Sequence, residues 1–174
     1  MPSIYLSPST QEFNEYADGL GTEEEWMNRL ADAMEPQLTA SGIRFTRNTP
    51  DMTAASSIQA SNAGSYDLHL ALHTNASGSG QAGRNRGILA FYYPGSPRGQ
   101  RAAEFFVDGL KAIYPLPALV RTEPTTTIGE VRRTRAPAVL LELGFHDNPE
   151  DAQWIVTHID AMAESLVLPL TEYF

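Results

Sequence analysis

Cysteine is absent from this chain of 174 residues, so neither a disulfide framework nor a thiolate metal site can form. Basic residues are also scarce, because 12 Lys and Arg stand against 21 Asp and Glu and leave a net charge of −9. The densest basic patch is Arg132, Arg133 and Arg135, which is too small for a nucleic-acid footprint. We therefore expect no nucleic-acid partner.

Long apolar runs are missing as well. No stretch reaches the roughly 18 apolar residues that mark a membrane-spanning helix. The N-terminus, Met1 to Ser7, lacks the basic segment and apolar stretch of a signal peptide. We expect no membrane segment, and export would have to be encoded elsewhere or happen by lysis. The sequence leaves the localisation and the oligomeric state open.

Short apolar segments alternate with helical patterns along the whole chain, which predicts one domain over residues 1–174. Its fold class is α/β, with a twisted, mostly parallel (mixed) sheet of five to six strands and helices on both faces. The strands are predicted at 3–7, 43–47, 66–75, 87–93 and 137–145. Five helices are predicted: from the Thr22 N-cap to about 42, over 52–62, over 101–114, after Asn148, and from Ile159 onward. Residues 116–135 are predicted to form an irregular segment with a short strand.

The run from Pro137 to Phe145 carries one carboxylate, Glu142, near its end. Buried glutamate is rare unless it is paired or coordinates an ion, because removing water from a carboxylate is costly. In open α/β sheets, ligands bind in the crevice outside the carboxyl ends of the strands. The position of Glu142 therefore predicts a catalytic or ligand-binding role for this residue.

Two further residues can reach that crevice. His73 lies near the C-terminal end of the strand over 66–75, and Glu23 lies in the first turn of the first long helix. Each also has an ordinary structural interpretation: a hydrogen-bonded histidine for His73, and a favourable charge at the helix dipole for Glu23. His69 lies on the same strand face about 13 Å from His73, too far for the two to share a metal ion, and is expected to be structural.

Together these residues predict a metal-assisted hydrolase, with His73 and Glu23 as ligands and Glu142 as general base. A histidine and a carboxylate in an open site suit a hydrolytic zinc ion. A serine hydrolase that pairs Ser7 or Ser9 with His73 is the alternative within the enzyme class. It lacks support because no Gly-x-Ser-x-Gly turn occurs.

The order of these motifs resembles the zinc-dependent N-acetylmuramoyl-L-alanine amidases of the type 3 family. The resemblance covers nearly the whole chain and is carried by Leu-His-Thr-Asn-Ala at 72–76 and Pro-Ala-Val-Leu-Leu-Glu-Leu-Gly-Phe-His-Asp-Asn at 137–148. It implies hydrolysis of the amide between N-acetylmuramic acid and the L-alanine of the peptidoglycan stem peptide. Peptidoglycan would then be the partner and zinc, or another divalent ion, the cofactor, as in an autolysin or endolysin.

Residue by residue, the resemblance makes Glu142 catalytic and His73 a zinc ligand. Glu23 matches the family's ligand glutamate, and Glu24 stays open as an alternative. Arg132 matches an arginine that often precedes the last motif, where a guanidinium can hold a substrate carboxylate or carbonyl. We predict that Arg132 and Asn75 bind substrate.

The family's first histidine ligand is missing. Where the family reads Asp-Pro-Gly-His, this chain reads Ser7-Pro-Ser-Thr-Gln11. The chain is similar to a subgroup that also reads Ser-Pro-Ser-x-Gln with Thr-Glu-Glu downstream, which makes Gln11 the third metal ligand and leaves Asn14 as the next candidate. An amide oxygen binds zinc less well than imidazole does. A non-catalytic peptidoglycan-binding module that keeps the fold is therefore the second functional hypothesis.

Overall fold

The computed structural model describes all residues, 1–174, around one six-stranded sheet. The strands are β1 (Ser3–Pro8), β2 (Arg44–Arg47), β3 (Leu68–Asn75), β4 (Ile88–Tyr92), β5 (Val120–Pro124) and β6 (Ala138–Phe145), in the order β2-β1-β3-β6-β4-β5. The first four strands in that order run parallel, β4 is antiparallel to β6, and β5 is parallel to β4. The predicted mixed α/β sheet is confirmed.

Four helices lie between strands: α1 (Glu23–Ala40), α2 (Ala54–Ala63), α3 (Pro97–Lys111) and α4 (Gly129–Arg132). Two more, α5 (Pro149–Thr157) and α6 (Ile159–Tyr173), follow β6. Four of the six helices begin with a side chain that accepts a first-turn N–H group, from Thr22, Thr53, Ser96 and Asn148. The predicted start of α3 at 101 was wrong, because Ser96 and Pro97 form a cap and first turn instead of a loop. No helix combines the length and hydrophobicity that crossing a bilayer requires.

One face of the sheet carries the main hydrophobic core. Alternate residues of each strand point to one face, and on this face the apolar ones join α1, α3 and α6 in a cluster of 33 buried residues. Leu6, Leu70, Leu72, Val139 and Leu141 form its centre, all at 0% exposure. Burial of this face holds the strands in register, because a shift of one residue would expose the whole set.

The opposite face is smaller and much more polar. Its apolar part is Ala71, Leu140 and Val131 of α4, while α2 packs against α4. Because side chains alternate, His69 and His73 lie on the same face as Ala71, and Glu142 lies on the same face as Leu140. The polar residues that the sequence singled out therefore project from one side of the sheet, near the carboxyl ends of β3 and β6.

Candidate active site

His73 lies at the centre of this polar face and is only 8% exposed. Its Nδ1 atom is 3.0 Å from Oε1 of Glu23, and its Nε2 atom is 2.9 Å from Oε2 of Glu130. Burial lowers the pKa of His73, but the hydrogen bonds and negative charges of Glu130 and Glu23 outweigh it and raise the pKa to about 10. The two carboxylates therefore favour the protonated form of His73 when no metal ion is bound.

Glu23 reaches His73 because it is the first residue of α1, which starts at the edge of the site. Its Oε1 atom accepts the backbone N–H of Thr74 (3.2 Å) and its Oε2 atom accepts from Asn14 (2.5 Å). Burial raises the pKa of Glu23, but His73, Asn14 and Thr74 together hold it below its ordinary value. Glu24, the alternative, is less buried and has no side-chain hydrogen bond to His73.

Gln11 approaches the same nitrogen of His73 from the loop after β1. Its Nε2 atom is 3.4 Å from His73 Nδ1, and its Oε1 atom accepts from Asn14 Nδ2 at 3.0 Å. The structure thus brings Gln11, Glu23 and His73, the three predicted ligands, to one place. Asn14 links two of them, because its amide group also contacts Glu23.

Glu142 is the register partner of His73 on the neighbouring parallel strand. Its Oε2 atom is buried and has no hydrogen-bond partner. Burial raises the pKa of this carboxyl to about 7, with the charge of His73 lowering it and that of Glu23 raising it. A carboxyl group with a pKa near neutrality suits proton transfer.

A bulge shapes the end of these two strands. The pairing shifts between His73 and Asn75, so that Thr74 of β3 stands opposite two residues of β6, Leu143 and Gly144. Gly144 takes up the extra residue with a φ of 114°, a conformation that side chains disfavour. Bulges are common next to active sites, where they redirect side chains.

A cavity of about 260 Å³ opens beside His73 and Glu130. Its lining includes small polar residues of the loop after β1 and of α2, Ser9, Thr10 and Ser57. Phe13 also lines it and is 74% exposed. The site is therefore open to a polar ligand from the side of α2.

The donors at this site can be compared with what a catalytic zinc ion needs. No group of three or more His, Cys, Asp or Glu side chains is arranged to hold a metal ion, so a third donor must come from another residue type. Gln11 supplies an amide, and rotation about its terminal bond exchanges the positions of its nitrogen and oxygen. One imidazole nitrogen, one carboxylate and one amide oxygen then fit an open, three-donor site.

The two predicted substrate-binding residues lie outside this cluster. Arg132 is exposed, without a hydrogen bond or ion pair from its side chain, and two residues along a helix place it about 200° around α4 from Glu130. Asn75 ends β3, and its side chain accepts the N–H of Ala76. Their binding of substrate stays a prediction.

The serine alternative is not supported by the geometry. Ser7 donates its hydroxyl hydrogen bond to Glu130 Oε1 at 2.5 Å, and Ser9 accepts the backbone N–H of Gln11 at 3.2 Å. Neither serine is hydrogen-bonded to His73, so neither has the base that a serine nucleophile needs.

Glu130 is the site residue that the sequence did not reveal. It is 5% exposed, and His73 and Glu130 are 57 positions apart in the chain. The only local signal is that this acidic residue lies between two apolar residues, Ile128 and the buried Val131. A one-turn helix has no periodicity from which its inward side could be identified.

Comparison with known proteins identifies the class. A family model described as N-acetylmuramoyl-L-alanine amidase matches residues 11–171. Because the match spans nearly the whole chain, the chain belongs to the N-acetylmuramoyl-L-alanine amidase family. No curated protein sequence matches the chain.

Solved structures support the same fold. The amidase AmiC2 of Nostoc punctiforme superposes with a TM-score of 0.84 at 14% identity, over 99% of this chain and 96% of that one. The CwlD amidase from Clostridioides difficile, solved with the GerS lipoprotein, gives 0.85 at 14%, covering 99% and 98%. The catalytic domain of the CD27L endolysin, described as targeting Clostridia difficile, gives 0.79 at 21%, covering 99% and 98%. At these identities the likeness shows the fold.

Proposed function

We propose that the chain is a metal-dependent peptidoglycan amidase that hydrolyses the bond between N-acetylmuramic acid and the L-alanine of the stem peptide. Membership of the amidase family supports the reaction class. The observation that carries the proposal is Glu142, whose buried Oε2 atom has no partner while its register neighbour His73 meets two other predicted ligands. An unsatisfied buried carboxylate oxygen is costly unless a ligand or a proton completes it.

In this proposal His73, Glu23 and Gln11 hold a divalent ion, with zinc as the expected one. When bound, such an ion polarises the scissile carbonyl and lowers the pKa of water. Asn14 Nδ2 donates to both Gln11 Oε1 and Glu23 Oε2, and its bond to Gln11 must break when that oxygen turns toward the ion. Burial, and to a smaller extent the charge of Glu23, raises the pKa of Glu142, and a bound cation would lower it.

Glu142 moves the proton. Its Oε2 atom accepts a proton from the attacking water as the water oxygen bonds to the carbonyl carbon of the lactyl group. The same atom then returns the proton to the L-alanine nitrogen as the carbon–nitrogen bond breaks. The products are a free carboxyl group on the muramic acid and a free amino terminus on L-alanine. Arg132 and Asn75 are proposed to hold the substrate.

The loss of the family's first histidine favours a second candidate, a binding module that keeps the fold without turnover. Incubation of the purified, zinc-loaded chain with purified peptidoglycan separates the two candidates and tests the bond. Release of new L-alanine amino termini supports the amidase. New reducing sugars would contradict the bond assignment, and binding without any product would favour the module.

A further inference from the structure

Glu130 joins both buried histidines of the polar face. Its Oε2 atom lies 2.9 Å from Nε2 of His73, and its Oε1 atom lies 3.2 Å from Nε2 of His69. The hydroxyl of Ser7 donates a third hydrogen bond, to Oε1, at 2.5 Å. The proposed hydrolysis uses Glu142 as the base and His73, Glu23 and Gln11 as metal ligands, and it leaves Glu130 without a role.

The chemistry of a carboxylate determines the roles of these atoms. An ionised carboxylate has no hydrogen to donate and can only accept. The Nε2 atoms of His69 and His73 must therefore both carry hydrogen when they bond to Glu130. A neutral imidazole that carries its hydrogen on Nε2 has its lone pair on Nδ1.

In His73 that Nδ1 atom faces Glu23 and Gln11, and the hydrogen that it donates to Glu23 when no metal ion is bound must leave before an ion can bind there. We propose that Glu130 is a positioning residue that makes Nδ1 of His73 the metal-binding atom, by holding the hydrogen of this imidazole on Nε2. The inference rests on the metal site of the proposed function. It assigns Glu130 the part that outer carboxylates have in other metal sites, where they set the tautomer and ring orientation of a ligand histidine.

Glu130 is itself prevented from turning away. His69 is fully buried, stacks on Tyr5 with ring centroids 5.4 Å apart, and has its Nδ1 atom 2.9 Å from the hydroxyl of Ser61. Ser7 comes from β1, His69 from β3 and Ser61 from α2. Ser7 and His69 therefore hold the Oε1 atom of Glu130, and Ser61 holds His69 in turn, which leaves Oε2 directed at His73.

The substitution Glu130→Gln tests this assignment. The amide of glutamine has one accepting oxygen and one donating nitrogen. If the oxygen takes the Oε1 position, which satisfies Ser7 and His69, the nitrogen faces His73. Nε2 of His73 must then accept, so its hydrogen moves to Nδ1 and blocks that atom. The zinc dissociation constant, measured by competition with a chromophoric chelator, should rise about 10- to 100-fold.

Ser61→Ala is the matched control. It removes a buried hydrogen-bond partner from the same chain of contacts but leaves the bond between Glu130 and His73 in place. It should lower the urea midpoint and leave zinc affinity unchanged. If Glu130→Gln binds zinc as tightly as the unaltered chain, or if both variants lose affinity equally, the inference is overturned.

The unaltered chain gives a second readout that no folding defect can obscure. Nitrogen-15 spectra of the zinc-loaded protein should show His73 with its hydrogen on Nε2 and zinc on Nδ1. Zinc on Nε2, or no zinc binding at all, would overturn the inference. Both measurements are independent of turnover, so zinc binding that depends on Glu130 without wall cleavage would refute the amidase proposal alone. Wall cleavage with zinc on Nε2 would refute the positioning role alone.

Discussion

His73 and Glu142 are register partners on the adjacent parallel strands β3 and β6. Because the strands are parallel, both residues lie near the carboxyl ends of their strands, where ligands of α/β proteins bind. The burial that raises the pKa of Glu142 to about 7 and the charge of His73 that opposes it both follow from this pairing. The proposed division of labour, with one residue as ligand and the other as base, depends on it.

Glu142→Gln should lower turnover about 10²- to 10⁴-fold while zinc stays bound. The substitution keeps the shape of the side chain but removes the group that accepts the proton, and general-base catalysis contributes about 10²- to 10⁴-fold. Turnover on purified peptidoglycan and zinc content of the same sample provide the measurement. Loss of zinc in this variant would instead make Glu142 a ligand, and full activity would exclude it as the base.

Gln11→His should tighten zinc binding, because imidazole nitrogen is a better zinc donor than an amide oxygen. Gln11→Ala should weaken it, since only Glu23 and His73 would remain. The zinc dissociation constant should therefore be lower for Gln11→His and higher for Gln11→Ala than that of the unaltered chain. Equal constants for all three proteins would show that Gln11 is not a ligand, and Asn14→Ala would then test the next candidate.

The metal-free protein should lose stability above neutral pH. The pKa of His73 rises from 6.5 to about 10 on folding, so its contribution is complete below 6.5 and is lost as the pH rises towards 10. Glu142, with its pKa raised from 4.5 to about 7, acts in the same direction. The lowered pKa of Glu130 acts oppositely, since its contribution is present above 4.5 and is lost on acidification.

The urea midpoint of chelated protein should therefore be higher at about pH 5.5 than at about pH 8.5. Glu130→Gln should flatten this dependence, because His73 loses the partner that contributes most to its raised pKa. An equal or higher midpoint at the alkaline pH would contradict the charge states assigned to the cluster.

Asp151→Ala should destabilise the fold by about 3–5 kcal/mol, the cost of breaking a buried ion pair by removing one partner. Asp151 is fully buried and accepts from Arg86, from the hydroxyl of Tyr114 and from the backbone N–H groups of Gly87 and Phe145. Urea denaturation measures the loss. Glu150→Ala is the control, because this exposed residue pairs with the same Arg86 and should change stability by at most about 1 kcal/mol. If the two substitutions lowered the free energy of unfolding equally, the ion pair between Asp151 and Arg86 would contribute no more than the exposed pair of Glu150 with Arg86.

Much of the fold followed from patterns that act locally. The Thr22 cap predicted the start of α1, and period-2 alternation placed His69 and His73 on one face of β3. These signals suffice because caps and amphipathic faces depend on neighbouring residues in the chain. The site residues near strand ends could be found for the same reason.

Glu130 and its polar contacts could not be predicted from such local patterns. Its contacts with Ser7, His69 and His73 span 57 to 123 positions of sequence, and α4 is too short to show a buried face. Glu23 could be chosen over Glu24 only once α1 was oriented against β3, since both glutamates suit a helix start. Long-range packing decided each of these positions.

One titration tests the central claim most directly. Zinc is removed stepwise from the purified chain with a chelator, and at each step the bound zinc and the release of L-alanine amino termini from peptidoglycan are measured on the same sample. The account predicts one zinc per active chain, activity that falls in proportion to the zinc removed, and recovery when zinc is restored. Undiminished release of L-alanine termini after complete removal of metal would contradict it.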